Sequence, residues 1–520
     1  MTSSTIETLV TEVLSQPWRI VVALVLACIL NSLISWLTRP KNLPPFYAEY
    51  PYIPWLGSLV QFATGPREFL QRAAKAKGDC FTIQLFGKQM TFLMGTEGHA
   101  KFFKAPEKTF DIREAYKMTI TTFGPGVCYD CPQSKMAQQF ALFKDNLSHE
   151  KFVEYMSLIQ EEVATFFEEQ WGDEGEADLL ASLSDLYTLT SSRCLLGPEI
   201  RKKWKSSGMG QQYLALDHSF VPILFFFPWI PNPNKAKCVT ARKLFEKMFK
   251  EVIDERNKEK AKDPQNFVPP SDFLQVLMEA SYRDGTKLTL TEITGILIGV
   301  LLGGQHTSNV TSTWLMAHLL KDETWLKAVM DEQDAIFRKK SESDRDGLYP
   351  SQLTYEEVQG MEIFDQVMCE TLRLHPPFFQ LSRAVMVESQ FQEYTIPKGH
   401  IVNISPGAAH RLPQLWDEPD KFDPDRFTEE AKKEHKPYSW IPFGGGMHAC
   451  GGRKFAWNSL KVSLTWLLRN YEIEFVGAGA TTIPKEDYTT MVVSPTSKHC
   501  RVKYRRRSRS SVRKVATVRR

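Results

Sequence analysis

Net charge is the first thing this chain has little of. Its 64 Lys and Arg stand against 61 Asp and Glu over 520 residues, a formal +3. A protein that tracks a nucleic-acid backbone carries a far larger basic excess, so no nucleic acid is expected as a partner. The bases that are in excess crowd into the last twenty residues, which carry ten Lys or Arg and no acid and read as a solvated, disordered end rather than one that touches anionic lipid or RNA. A disulfide framework is also lacking: nine cysteines, an odd number, are scattered from Cys28 to Cys500, which fits a reducing compartment. Cys128 and Cys131 make a C-x-x-C with no second pair or nearby His, and Pro132 follows at once, so it reads as coincidence rather than a zinc site. The 30 prolines form no disordered block, and no internal repeat is present.

Of long apolar runs there is one. Residues 20–37, I-V-V-A-L-V-L-A-C-I-L-N-S-L-I-S-W-L, hold eighteen residues without a charge, long enough for one transmembrane helix. Glu7 and Glu12 precede it, unlike the basic start of a signal peptide, and Arg39 and Lys41 follow it, which places the rest of the chain in the cytosol. The organisation expected is a lumenal segment over 1–19, the anchor over 20–37, a stiff proline-rich linker over 38–57, a catalytic domain over 58–504 and a basic tail over 505–520. The stretch F-V-P-I-L-F-F-F-P-W-I-P from Phe220 is too short and too broken to span, and reads equally as a membrane-dipping or a packed segment. Strand-like pieces near Phe81 and Met90 are followed by helical periodicity from about Lys151 to His375, and strand signals return between Tyr394 and Ile404. The fold class predicted is mainly α with a minor β-sheet.

Two motifs carry chemistry. In the helical run Thr291 to His318, Gly295, Gly299, Gly303 and Thr307 recur every fourth residue. Interior glycines cost roughly 1 kcal/mol each relative to alanine, which predicts close approach of a helix or of a flat cofactor. Gln305, His306, Thr307 and Ser308 place polar groups in an apolar stretch, where each needs a partner or a function. The second motif is F-G-G-G-M-H-A-C-G-G-R-K-F-A, Phe443 to Ala456. A glycine-rich loop before a helix lets backbone N–H groups point at the Cys450 sulfur, and a thiolate so stabilised is a strong axial ligand for haem iron.

Phe443, Gly446, His448, Cys450 and Gly452 match the cysteine loop of the cytochrome P-450 superfamily, F-x-x-G-x-H-x-C-x-G. E-T-L-R, with Glu370 and Arg373, and F-D-P-D-R-F, with Arg426, resemble its buried Glu-Arg-Arg network, in which two guanidinium groups satisfy a carboxylate. G-G-Q-H-T-S at 303–308, Y-K-M-T-I-T-T-F-G-P-G-V-C-Y-D-C-P at 116–132, Y-T-T-M-V-V with Met491, and R-L-H-P-P before Arg383 resemble the sterol 14-alpha-demethylase family.

That resemblance implies a cytochrome P-450 fold holding haem b (iron protoporphyrin IX), with Cys450 as the ligand of the iron. It implies removal of the 14-alpha-methyl group of a sterol precursor by three oxidations, through alcohol and aldehyde to formate. The alternative is hydroxylation of another lipid by a haem-thiolate monooxygenase. Implied partners are a sterol, molecular oxygen, an NADPH-dependent reductase and the endoplasmic reticulum membrane. Thr307 would deliver protons during oxygen activation, and His306 paired with Asp217 would gate their entry. Tyr116, Tyr129, Arg383 and His448 would hold the haem. Phe123, Phe220, Gly303, Phe379 and Met491 would contact substrate. Arg453, Lys454, Lys421 and Lys432 would meet an acidic reductase face. The chain departs from the family at Phe140, for a lysine near a propionate; at Gly303, for alanine; at Gln380, for an apolar residue; and at Thr121 and Thr122, for Pro-Val. Met447 and Ala449 replace basic residues, and Met118 fits neither common choice at a position tied to C4-methyl discrimination. These departures leave the preferred sterol open.

Overall fold

The computed structural model describes residues 38–50, 57–145, 147–206, 209–217, 219–220, 223–227, 230, 233–340 and 352–507, with isolated positions between 18 and 34. Most of the expected anchor over 20–37 and of the tail over 505–520 therefore lies outside the described residues, as does part of the apolar stretch after Phe220. Among the described residues no helix is long and apolar enough to cross a membrane.

The chain divides into two units, Met1–Asp111 with Gln380–Ala409, and Ile112–Phe379 with His410–Arg520. The first is built on a five-stranded sheet in the order Cys80–Leu85, Lys88–Leu93, Ile401–Ile404, Leu381–Val385, Phe110–Asp111. Its first two strands form a hairpin whose turn places Phe86 and Gly87 at φ 50° and 81°, left-handed values that favour glycine. Lys88–Leu93 runs parallel to Ile401–Ile404, and every other pairing in that sheet is antiparallel. Arg383, 2% exposed, donates from Nη1 to the Phe102 carbonyl at 2.8 Å and lies 4.6 Å over the Phe102 ring. The linker was expected to precede the body, but part of it is docked: Tyr47 N–H donates to Thr82 O, and Thr82 N–H to Pro45 O, both at 2.9 Å. Proline forbids helix there yet leaves its carbonyl free to pair with a strand edge.

The second unit is helical. Its longest described helices are Pro233–Lys262 and Leu290–Leu319, thirty residues each. The latter begins at a capping box, in which Thr289 and Glu292 satisfy one another's backbone N–H groups. It is buried along most of its length against Leu179–Ser191, where Tyr187 Oη meets Ser312 Oγ at 2.6 Å. Helix His149–Gln170, capped by Ser148, packs on Arg453–Asn470: the Tyr155 and Phe455 rings are 5.8 Å apart edge to face, and Phe167 stacks on Trp466 at 5.1 Å. Helix Glu362–Leu374 stops just before Pro376, as a following proline demands. A small antiparallel sheet, Glu174–Asp178, Arg501–Arg506 and Tyr471–Phe475 in that order, closes the unit. Its central strand runs into the start of the expected tail: Arg501 pairs with Glu176, and Arg505, the tail's first base, with Glu472.

Candidate active site

Cys450 sits just before helix Arg453–Asn470, in a loop turned by Gly444 and Gly446 at φ 68° and 63°. Its N–H donates to Phe443 O at 2.9 Å, which closes the loop on itself. Of the described cysteines it alone is exposed. The protein around the open sulfur still desolvates it enough to raise the thiol above the ordinary cysteine value, while N–H groups of Gly452 and Arg453 and the Arg453 charge pull the other way. Cys128 and Cys131 are pushed up to about 12 and about 11, chiefly by burial, so neither is a ready thiolate. The Arg453 guanidinium lies over Trp440, Phe443 and Trp457 at 5.5, 5.3 and 5.5 Å, an aromatic cage that holds the loop to its helix.

The glycines of Leu290–Leu319 divide between the two expectations. A Cβ on Gly295 would lie 2.0 Å from Phe123 O and 2.8 Å from Val127 Cγ2, and one on Gly299 would touch the Phe123 ring at 3.7 Å, so these two admit the segment Ile120–Val127 against the helix. Gly303 instead faces open space, with nothing within 4 Å of its Cβ position. Gly295→Ala is thus expected to lower stability by about 1–3 kcal/mol through overpacking. Gly303→Ala should hold or raise it, by up to about 1 kcal/mol of helix propensity. Denaturant titration of the two variants separates them, and equal effects would contradict the geometry.

The polar residues beside Gly303 have distinct partners. Gln305 is structural: Tyr213 Oη donates to its Oε1 at 2.6 Å, and its Nε2 donates to Ser184 O at 3.3 Å. His306 Nδ1 meets Asp217 Oδ1 at 3.0 Å, joining the two residues paired from sequence, both partly open to solvent. Thr307 Oγ1 donates to Gly303 O at 2.7 Å. Phe123 and Phe220 are brought together, rings 5.9 Å apart. Tyr116 stacks on Tyr129 at 5.3 Å, and Phe379 meets Tyr488 edge to face at 5.4 Å. Met491 is half-buried beside the Phe378–Val492 bridge, and His448 is half-buried in the turn Gly446–His448.

Glu370 and Arg373 form a fully buried two-toothed pair, Nε to Oε2 at 2.6 Å and Nη2 to Oε1 at 2.7 Å. Arg426 stands off, its Nε 3.6 Å from Glu370 Oε1, and Asp423 N–H donates to that oxygen at 2.8 Å. The expected pair of guanidinium forks is therefore one fork, one backbone N–H and one charge contact. Of the bases expected to greet a partner, Lys421 and Lys432 already pair with acids of their own chain, Glu418 and Glu429. Arg453 and Lys454 are exposed.

Residues 48–501 match the family model described as Cytochrome P450. The chain belongs to the cytochrome P450 family. It is 35% identical over 498 residues to the Sterol 14-demethylase of Arabidopsis thaliana, covering 94% of this chain and 97% of the relative. It is 35% identical to the Obtusifoliol 14-alpha demethylase of Sorghum bicolor, over 87% and 88% of the two chains, and 34% identical to the Lanosterol 14-alpha demethylase of Rattus norvegicus, over 90% and 88%. The solved structure of the retinoic acid-bound cyanobacterial CYP120A1 superposes with a TM-score of 0.74 at 23% identity, covering 90% of this chain and all of that one, which supports the P450 fold.

The cofactor of this P450 is haem b, and the residues present fit it. A soft sulfur donor stands open at Cys450, and the backbone of Gly452 and Arg453 and the Arg453 charge favour its anion, as a thiolate ligand requires. On helix Leu290–Leu319, Gly303 keeps a bare stretch of backbone beside Thr307. Sequence reading missed two contacts near this helix, Tyr213 to Gln305 and Thr122 to Ser219, because hydroxyls far apart in the chain leave no periodic signal.

Proposed function

We propose that this chain is a sterol 14-alpha-demethylase, removing the 14-alpha-methyl group of a sterol precursor as formate in three oxidations. The observation that carries the reading is the conjunction of the open Cys450 loop with end-to-end similarity to three relatives named as 14-demethylases. Bound haem supplies oxygen activation, drawing two electrons per oxidation from a redox partner. Cys450 holds it, and Tyr116, Tyr129 and His448 supply donors for its carboxylates.

The chain's own residues manage protons and water. With Nδ1–H donated to Asp217, the His306 ring leaves Nε2 as the acceptor that takes a proton from solvent. Thr307 Oγ1, anchored on Gly303 O, keeps lone pairs free to accept a proton at that hydroxyl and pass on its own. Phe123, Phe220, Phe379 and Met491 give the apolar lining that a rigid sterol needs and exclude water from it. The same reading places an N-terminal helix over 20–37 in the endoplasmic reticulum membrane, with residues 58–504 as the cytosolic catalytic domain, 505–520 as a basic tail and an NADPH-dependent reductase as electron donor.

A second reading, hydroxylation of another lipid, is favoured by Gln380, whose Nε2 donates to Ser382 Oγ at 3.4 Å while its buried Oε1 has no hydrogen-bond partner among the described residues. Titrating the haem-loaded protein with a panel of 14-methyl sterols decides between them. A blue shift of the haem band with at least one sterol, followed by release of formate, is expected. No response to any of them, with haem intact, defeats the sterol reading.

A further inference from the structure

Thr122 and Ser219, 1% and 9% exposed, meet Oγ1 to Oγ at 2.7 Å. Ser219 Oγ also donates to Leu216 O at 2.6 Å. A hydroxyl has one hydrogen, so the Ser219 proton is committed to that carbonyl and Thr122 is the donor between the pair. The fully buried Cys238 closes the group, its sulfur 3.6 Å from Thr122 Oγ1 and 3.8 Å from Thr121 O. Each hydroxyl residue immediately precedes a phenylalanine, Phe123 or Phe220, and those rings touch. Phe123 is fixed independently, its ring under Gly299 and its carbonyl under Gly295. Phe220 takes its place from two backbone bonds, Ser219 N–H to Leu216 O at 3.2 Å and Phe220 N–H to Asp217 O at 3.1 Å.

We propose that the Thr122–Ser219 hydrogen bond is a clasp that registers Phe220 against Phe123 and so favours rigid, bulky apolar ligands over small ones. Thr122 and Ser219 are positioning residues; the clasp itself stands on geometry, and its effect on ligands through Phe123 and Phe220 rests on the proposed function. Opening the clasp strands a buried hydroxyl without its partner, which disfavours the open form by roughly tenfold.

Hydrogen exchange on the haem-loaded full chain, without ligand, tests it. In Thr122→Val, which keeps the shape and removes the donor, the amides of Ser219 and Phe220 should exchange about tenfold faster. Ser219→Ala, which also removes the Ser219 Oγ bond to Leu216 O, should speed exchange at least as much and serves if the first variant folds poorly. Thr122→Ser should restore wild-type protection, and the double variant Thr122→Val/Ser219→Ala should exchange no faster than Ser219→Ala alone, since the clasp bond is already lost in that single variant. In a second arm, the dissociation constant of a 14-methyl sterol should rise about tenfold in Thr122→Val while that of imidazole stays unchanged. Wild-type protection in Thr122→Val, additive effects in the double variant, no rescue by serine, or an unchanged sterol affinity would each overturn the proposal. If the wild-type protein binds no sterol, the functional reading fails, and the exchange arm decides the clasp by itself.

Discussion

Cys450→Ser is expected to abolish the thiolate signature of the reduced, carbon-monoxide-bound pigment while leaving the chain folded. Cys450 is exposed, and serine is close to it in size, so the exchange leaves the packing of the loop in place. A serine oxygen is a harder donor with a far higher pKa, so it cannot offer iron a soft anionic ligand. Burial raises the Cys450 thiol above its ordinary value, and binding of haem through the sulfur should release about one proton per site. An unchanged spectrum in the serine variant would remove the basis of the catalytic reading.

Glu370→Ala should be the most destabilising single change among the residues discussed, by on the order of 3–5 kcal/mol. Arg373 is wholly buried, and without its carboxylate the guanidinium becomes an uncompensated charge in the interior. Burial pushes the Glu370 carboxyl above its ordinary value, and the hydrogen bonds from Arg373 and Asp423 N–H with the Arg426 charge only partly oppose this. Ionised Glu370 therefore gains little net stability from the pair, whose value lies in fixing geometry. Replacing both residues, as Glu370→Met with Arg373→Met, should cost less than Glu370→Ala alone. Chemical denaturation reads both, and a loss below about 1 kcal/mol for Glu370→Ala would show that the charge is screened from solvent water less than its burial implies.

Much of this was legible in the sequence because it is local. The strand pieces near Phe81 and Met90, the helices from Lys151 to His375 and the glycine-rich cysteine loop are carried by neighbours within a few residues. The Glu370–Arg373 fork follows from an i, i+3 spacing on a helix. What could not be read is where polar atoms choose among distant partners. Nothing in the spacing says that Gln305 belongs to Tyr213, that Asp423 N–H takes an acceptor expected to serve Arg426, or that Gly295 packs while Gly303 stays open. The order of the parallel pair in the first unit is likewise set by a strand more than three hundred residues after its partner, an interaction that alternation alone cannot specify.

Arg373 reaches beyond its carboxylate: its Nη1 donates to His410 O and Pro419 O at 2.9 and 2.6 Å, and its Nη2 to Lys421 O at 3.0 Å. One side chain on a buried helix thus tethers the surface run from 410 to 421 entirely through main-chain oxygens. Such a tether is blind to side-chain identity, so residues such as Asp417 and Lys421 can be exchanged while the backbone that presents them keeps its course.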